Sequence, residues 1–114
     1  VSRDAMRGWS LGGLLDEEDL ARERAKGREL RDSAWWKRRR SDGICHYCSR
    51  HFPPKSLTMD HLIPLTRGGR SEKSNLVPCC KECNKAKGNL LPTEWEEYLA
   101  RIRQENPEGG SASG

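Results

Sequence analysis

Apolar bulk is what this chain has least of. Of its 114 residues, 33% are hydrophobic and one is phenylalanine, against roughly 45–50% apolar in an ordinary globular domain. A chain of this length makes one domain at most. One this polar buries too little apolar surface to rely on a core alone, and small domains of this kind lean on a metal or on disulfides. No run approaches the roughly 18–20 apolar residues that cross a bilayer, so no membrane role is expected. Val1 to Ser10 has no apolar stretch of the sort a secretory leader carries. Five cysteines are an odd number and a low density for a secreted disulfide scaffold. The expectation is a cytoplasmic protein in a reducing compartment, with thiolates held by zinc.

Charge, by contrast, is abundant. Charged residues reach 33% and the net charge is +4, a mildly basic balance compatible with nucleic acid. Residues 1–13 contain Gly and Ser without a period and read as a flexible arm, weakly anchored by Trp9 and Leu11. Residues 14–42 read as charged helices. The first, Leu14 to Arg31, has acids at its start and bases after them, which suits the helix dipole; with few apolar residues it reads as solvated. The second, Ala34 to Ser41, has Ser33 as its N-cap and Gly43 to close it. It carries Trp35-Trp36-Lys37-Arg38-Arg39-Arg40. One Trp is expected to pack, and the cations to meet phosphates.

Residues 43–91 hold the motifs. Leu57 to His61 alternates as a short strand, ended by Pro64. Thr66 to Asn75 is a polar loop with a Gly68-Gly69 turn. Leu76-Val77 is a second strand, stopped by Pro78, and Cys80 to Lys87 forms two helical turns closed by Gly88. Thr93–Glu96 reads as a capping box for a C-terminal helix over 92–105, with Trp95, Leu99 and Ile102 on one face. Residues 106–114 read as a disordered tail.

Two Cys-x-x-Cys pairs, Cys45/Cys48 and Cys80/Cys83, suit a closed tetrahedral Zn²⁺ site, since each pair turns two sulfurs toward one point. In a small core such a metal supplies folding free energy directly. A redox pair needs a βαβ context, which is missing. Cys79 reads as a small buried residue and His46 as surface. Asp60-His61 points to a second chemistry. Phosphodiester hydrolysis needs a base for water, which a His can be near neutral pH. It also needs neutralised phosphate charge, which a carboxylate-held Mg²⁺ supplies. Adjacent strand residues face opposite ways, so the two converge only where the strand ends or distorts. Asn84 can offer an amide oxygen to the same cation, and Lys87, three residues on, can meet the phosphate.

As a set, Cys45-x-x-Cys48, Asp60-His61-Leu62-Ile63-Pro64, Gly68-Gly69, Asn75-Leu76 and Cys80-x-x-Cys83-Asn84-x-x-Lys87-Gly88 resemble the HNH endonuclease family, over about two fifths of the chain. The resemblance implies an α+β fold: a small ββα-metal core with a Cys₄ zinc knuckle, flanked by N-terminal and C-terminal helices. It implies His61 as general base, Asp60 as metal ligand, Asn75 as the residue that fixes the loop and orients the base, and Asn84 in the place of the final His. This is an H-N-N variant, and an amide oxygen there favours Mg²⁺ or Mn²⁺. Lys87, Arg67, Lys81, Arg38 and Arg39, with Arg70 and Lys85, are candidates for phosphates. The function implied is a divalent-metal-dependent DNA endonuclease leaving a 5′-phosphate and a 3′-hydroxyl. Double-stranded DNA is the expected substrate, with a homodimer or a protein partner to add specificity. The alternatives are a non-catalytic zinc-ribbon-like nucleic-acid-binding module and a zinc scaffold for protein partners.

Overall fold

The computed structural model describes residues 16–105. The arm expected over 1–13 and the tail over 106–114 lie outside the described residues, as do Leu14 and Leu15. The order of elements is α1 (Glu17–Arg31), α2 (Ala34–Arg39), β1 (Thr58–His61), β2 (Leu76–Cys79), α3 (Lys81–Lys87) and α4 (Pro92–Glu105). One-turn 3₁₀ segments at Pro54–Ser56, Leu65–Arg67 and Lys73–Asn75 shape the connections. β1 and β2 form a two-stranded antiparallel sheet with Asp60 opposite Val77 and His61 opposite Leu76. The α+β fold is a ββα arrangement flanked by helices, consistent with a ββα-metal fold.

α1 starts at Asp16, whose carboxylate accepts from Asp19 N at 2.8 Å, and acids fill its first turn while Arg28 and Arg31 lie in its last. That arrangement opposes the helix dipole. It is not the solvated rod its composition suggests. Asp19, Glu23 and Gly27 are buried, and their spacing of four places them on one face. The buried face is polar, so it leaves no hydrophobic signature. α2 is capped by the Ser33 hydroxyl, which accepts from Trp36 N. Trp36 is 1% exposed, whereas Trp35 is half-buried with Lys73 Nζ 5.6 Å above its ring. Gly43 follows in the left-handed region at φ 72°.

Pro78 does not stop the second strand, which continues through it to Cys79. Pro78 pairs with Met59, and its carbonyl turns outward to accept from His46 N at 2.8 Å. At such a site the backbone groups point away from the partner strand, so the ladder loses no donor to the proline ring. α4 also begins earlier than a Thr93 cap would have it. Pro92 is its first residue, and the Glu94 carboxylate reaches back to Leu91 N at 2.8 Å. Of the apolar stripe, Trp95 is buried between Tyr47 and Tyr98, but Ile102 is 38% exposed. The core is correspondingly small: Cys45, Leu57, Cys79 and Cys80 cluster, with Tyr47, Phe52, Cys48 and Cys83 against them. Among the described residues no helix is long and apolar enough to cross a membrane.

Candidate active site and metal centre

The four paired cysteines meet. Their Sγ atoms all lie within 4.8 Å of one another, and Cys48 Sγ is 3.9 Å from Cys80 Sγ. Four sulfurs about 2.3 Å from a central ion stand about 3.8 Å apart in a tetrahedron, so the set fits a closed metal site. Cys45 and Cys48 are brought together by a tight turn in which Ser49 N donates to Cys45 O, with Ser49 left-handed at φ 62°. Cys80 is the N-cap of α3, its sulfur accepting from Cys83 N. Burial opposes ionisation of Cys45, but amide hydrogens from Cys48, Cys80 and Tyr47 outweigh it and bring the thiol down to about 7. Burial and the neighbouring sulfurs push Cys83 up, and burial likewise raises Cys80. Four thiolates crowded together repel, and a divalent cation removes that conflict. Cys79 is fully buried, with burial first among the causes that raise its thiol well above the usual range. It stands outside the four.

The second constellation lies on the same hairpin and the same helix. Thr58 and Asp60 share one face of β1, and Asn84 and Lys87 share one face of α3. These two faces meet. Asn84 Nδ2 donates to Thr58 Oγ1 at 2.9 Å, and Thr58 Oγ1 itself donates to Cys79 O at 2.8 Å. The Thr58 hydroxyl has spent its one hydrogen, so Asn84 must present its NH₂ and not its oxygen. Asn84 Oδ1 is left without a hydrogen-bond partner among the described residues.

Asp60 is 8% exposed. Tyr47 Oη donates to its Oδ2 at 2.5 Å, and Lys87 Nζ lies 3.2 Å from the same oxygen. Both partners occupy Oδ2, so Oδ1 is the oxygen that remains. Burial first, then the hydrogen bond to Asp60, pushes the Tyr47 phenol far above its ordinary range, so it stays a donor. Lys87, expected on a phosphate, is 1% exposed and also donates to His61 O at 3.2 Å. An ammonium so enclosed holds protein groups rather than a strand of DNA passing over the surface.

His61 is the last residue of β1 and turns to the other side, as alternation requires. Its Nε2 is 2.9 Å from Ser71 Oγ. Burial lowers its pKa, and Lys87 adds to that, against the opposing carboxylates of Asp60 and Glu23; the imidazole is therefore neutral near pH 7. Asn75, at the end of the 62–75 loop, binds its start and its middle. Its Oδ1 accepts from Ile63 N at 2.9 Å, and its Nδ2 donates to Ile63 O at 3.0 Å and Arg70 O at 2.8 Å. Every polar atom of the amide is used. Gly69 lets that loop close: a Cβ there would stand 1.8 Å from Ile63 O.

The cations are more dispersed. Arg67 holds the Glu94 carboxylate at 3.0 Å and Asn89 O at 3.2 Å, which ties the loop to α4. Lys81 is exposed at the start of α3, and Arg38 and Arg39 are exposed on α2. The charge of Arg39, second to burial, depresses the pKa of His46, which puts the end of α2 near the Cys45–Cys48 turn. Tyr47, Ser71 and Glu23 are the site residues that sequence reasoning missed.

Comparison with known proteins agrees with this geometry. Residues 45–90 match the family model described as HNH endonuclease. They are an HNH endonuclease domain. The HNH domain begins at the first metal-site cysteine and takes in both strands and α3. The chain is also similar to a CRISPR-associated endonuclease Cas9 of Corynebacterium diphtheriae, with 28% identity over 95 residues. That alignment covers 81% of this chain but 9% of the relative, so the chain spans under a tenth of the protein it matches.

Proposed function

We propose that this chain is a divalent-metal-dependent endonuclease that hydrolyses phosphodiester bonds of double-stranded DNA. One observation carries the reading. Where one hairpin meets α3, a buried carboxylate and an amide each keep one oxygen uncommitted, and the imidazole next in sequence to the carboxylate keeps one nitrogen. A module that only binds nucleic acid has no use for that set. The HNH domain and the nuclease relative support nucleic acid as substrate.

Asp60 Oδ1 and Asn84 Oδ1 are hard oxygen donors and suit Mg²⁺ or Mn²⁺, whereas the four thiolates suit Zn²⁺. A cation at the oxygens supplies charge neutralisation for the scissile phosphate and the leaving 3′ oxygen. Tyr47 and Lys87 hold the Asp60 carboxylate in one orientation through Oδ2. His61 takes a proton from the attacking water, and neutrality near pH 7 makes it competent for that task. Asn75 fixes the loop that follows the base. The products are a 5′-phosphate and a 3′-hydroxyl. Arg38, Arg39 and Lys81 are the exposed cations that position the phosphate backbone; they carry no base readout. One site cuts one strand, and a double-strand break takes a second copy or a protein partner.

Nicking of a supercoiled plasmid with Mg²⁺, run beside Asp60→Asn, tests this. The wild type is expected to yield open circles, and Asp60→Asn to be slower on the order of 10²-fold or more, since even indirect perturbation of a metal site costs about 10–100-fold. Equal rates would remove Asp60 from the site. No cleavage with any divalent ion would leave a nucleic-acid-binding module.

A further inference from the structure

The HNH domain begins at Cys45, yet its base is held from outside it. The hydrogen bond between His61 Nε2 and Ser71 Oγ, 2.9 Å long, has a direction that can be worked out. Ser71 Oγ is 2.6 Å from the main-chain carbonyl of Glu23. A carbonyl only accepts, and a hydroxyl has one hydrogen, so the Ser71 hydrogen points at Glu23. His61 Nε2 must then be the donor, and the lone pair of the neutral ring sits on Nδ1. Glu23 grips Ser71 a second time, its Oε1 accepting from Ser71 N at 2.7 Å. That carboxylate is itself anchored by Lys26 at 3.1 Å and Arg70 at 3.5 Å.

Glu23 and Ser71 are each 2% exposed, so water does not compete for these bonds. The approach of α1 is close. A Cβ on Gly27, one turn after Glu23, would stand 3.2 Å from Ser71 Oγ and 3.9 Å from His61 Cε1. Glu23, on the buried face of α1, is thus spent on one residue of the loop and, through it, on the imidazole.

We propose that Ser71 and Glu23 are positioning residues for the base: they hold His61 as the Nε2–H tautomer, with Nδ1 aimed at the attacking water. This rests on His61 being the base. It makes α1 part of the catalytic unit, although α1 lies outside the matched residues. Ser71 sets the ring directly; Glu23 sets Ser71.

The test is long-range ¹H–¹⁵N correlation NMR on the zinc-loaded full chain labelled at histidine, alongside nicking kinetics. The wild type is expected to show His61 in the Nε2–H form with an Nε2 proton protected from exchange. Ser71→Ala is expected to lose that protected proton and to lower kcat by about 10–100-fold, in the range for groups that orient a reacting residue, with the KM for DNA within about twofold. Glu23→Ala is expected to follow Ser71→Ala, and Glu23→Gln, which keeps an acceptor for Ser71 N, to stay near the wild type. An Nδ1–H tautomer in the wild type overturns the proposal. So does a Ser71→Ala protein with its protected proton and kcat intact. A wild type that shows the protected Nε2 proton but nicks no DNA supports the hydrogen-bond assignment and overturns the nuclease reading instead.

Discussion

Replacing His61 by alanine is expected to slow plasmid nicking by about 10²–10⁴-fold, the usual contribution of a positioned general base, with zinc content unchanged and DNA affinity within about twofold. The ring bonds to Ser71, which keeps its own bond to the Glu23 carbonyl when the imidazole is gone. The cost to folding is therefore small, about the 1 kcal/mol of an ordinary substitution. Substitution at a group that only packs would instead alter the melting temperature and the rate together. The measurement is the single-turnover nicking rate under saturating Mg²⁺, compared with thermal melts of the two proteins. Rates equal to the wild type would remove His61 from the chemistry.

Cys80→Ser is expected to release the structural metal, unfold the core and abolish nicking even at saturating Mg²⁺. Cys80 holds three positions at once. It is one of the four clustered thiols, it caps α3 through Cys83 N, and it is packed in the small core with Cys45, Leu57 and Cys79. Serine is a harder ligand and a poor substitute for a thiolate on Zn²⁺. Structural zinc contributes on the order of 10–16 kcal/mol in small metal-dependent folds, as much as the whole of the roughly 5–15 kcal/mol that keeps most domains folded. Loss of activity should follow from geometry, because Asn84 directly follows the metal-site residue Cys83 on α3. Metal analysis, circular dichroism and the nicking assay on one sample check this. A folded Cys80→Ser protein with wild-type metal content would exclude the Cys₄ assignment.

Much of this was legible in the residues, and the parts that were not share a physical reason. The Cys-x-x-Cys pairs sit 31 residues apart, and such a pattern survives any choice of secondary structure. The hairpin could be read from two short apolar runs around a glycine turn, and the α3 stop from Gly88. The interactions that aim the site are polar and buried, and sequence patterning assigns polar residues to the surface. Glu23 looked like one more solvated acid on a charged helix; Ser71 looked like loop. Tyr47 lies inside the first Cys pair, and nothing in its spacing marks it as a partner of Asp60. The charge of Lys87 suggests a phosphate, whereas its place at the buried end of α3 gives it protein partners. Pro78 suggests a strand breaker, because its outward register cannot be seen without the partner strand. The apolar stripe of α4 was legible at Trp95 and overextended at Ile102, since 90 described residues offer little core for a fourth turn to meet.

The Lys87–Asp60 contact has a thermodynamic consequence. The carboxylate that is to receive a divalent ion already carries a lysine 3.2 Å away, so its formal charge and that of the ammonium cancel. Asn84 and a neutral His61 add none. On the proposed assignment, an ion entering between Asp60 and Asn84 brings its full double charge into a site with no net charge to offset it, and affinity for the free ion should be weak. The missing counter-charge is on the DNA. A phosphate at the site completes the balance, as substrate phosphates commonly do for Mg²⁺, so ion and DNA assist each other. Linkage makes the assistance reciprocal: in titrations of the zinc-loaded protein, the factor by which DNA tightens Mn²⁺ should equal the factor by which Mn²⁺ tightens DNA. Independent binding of the two would contradict that coupling. Where it holds, the site stays poorly loaded until its substrate arrives.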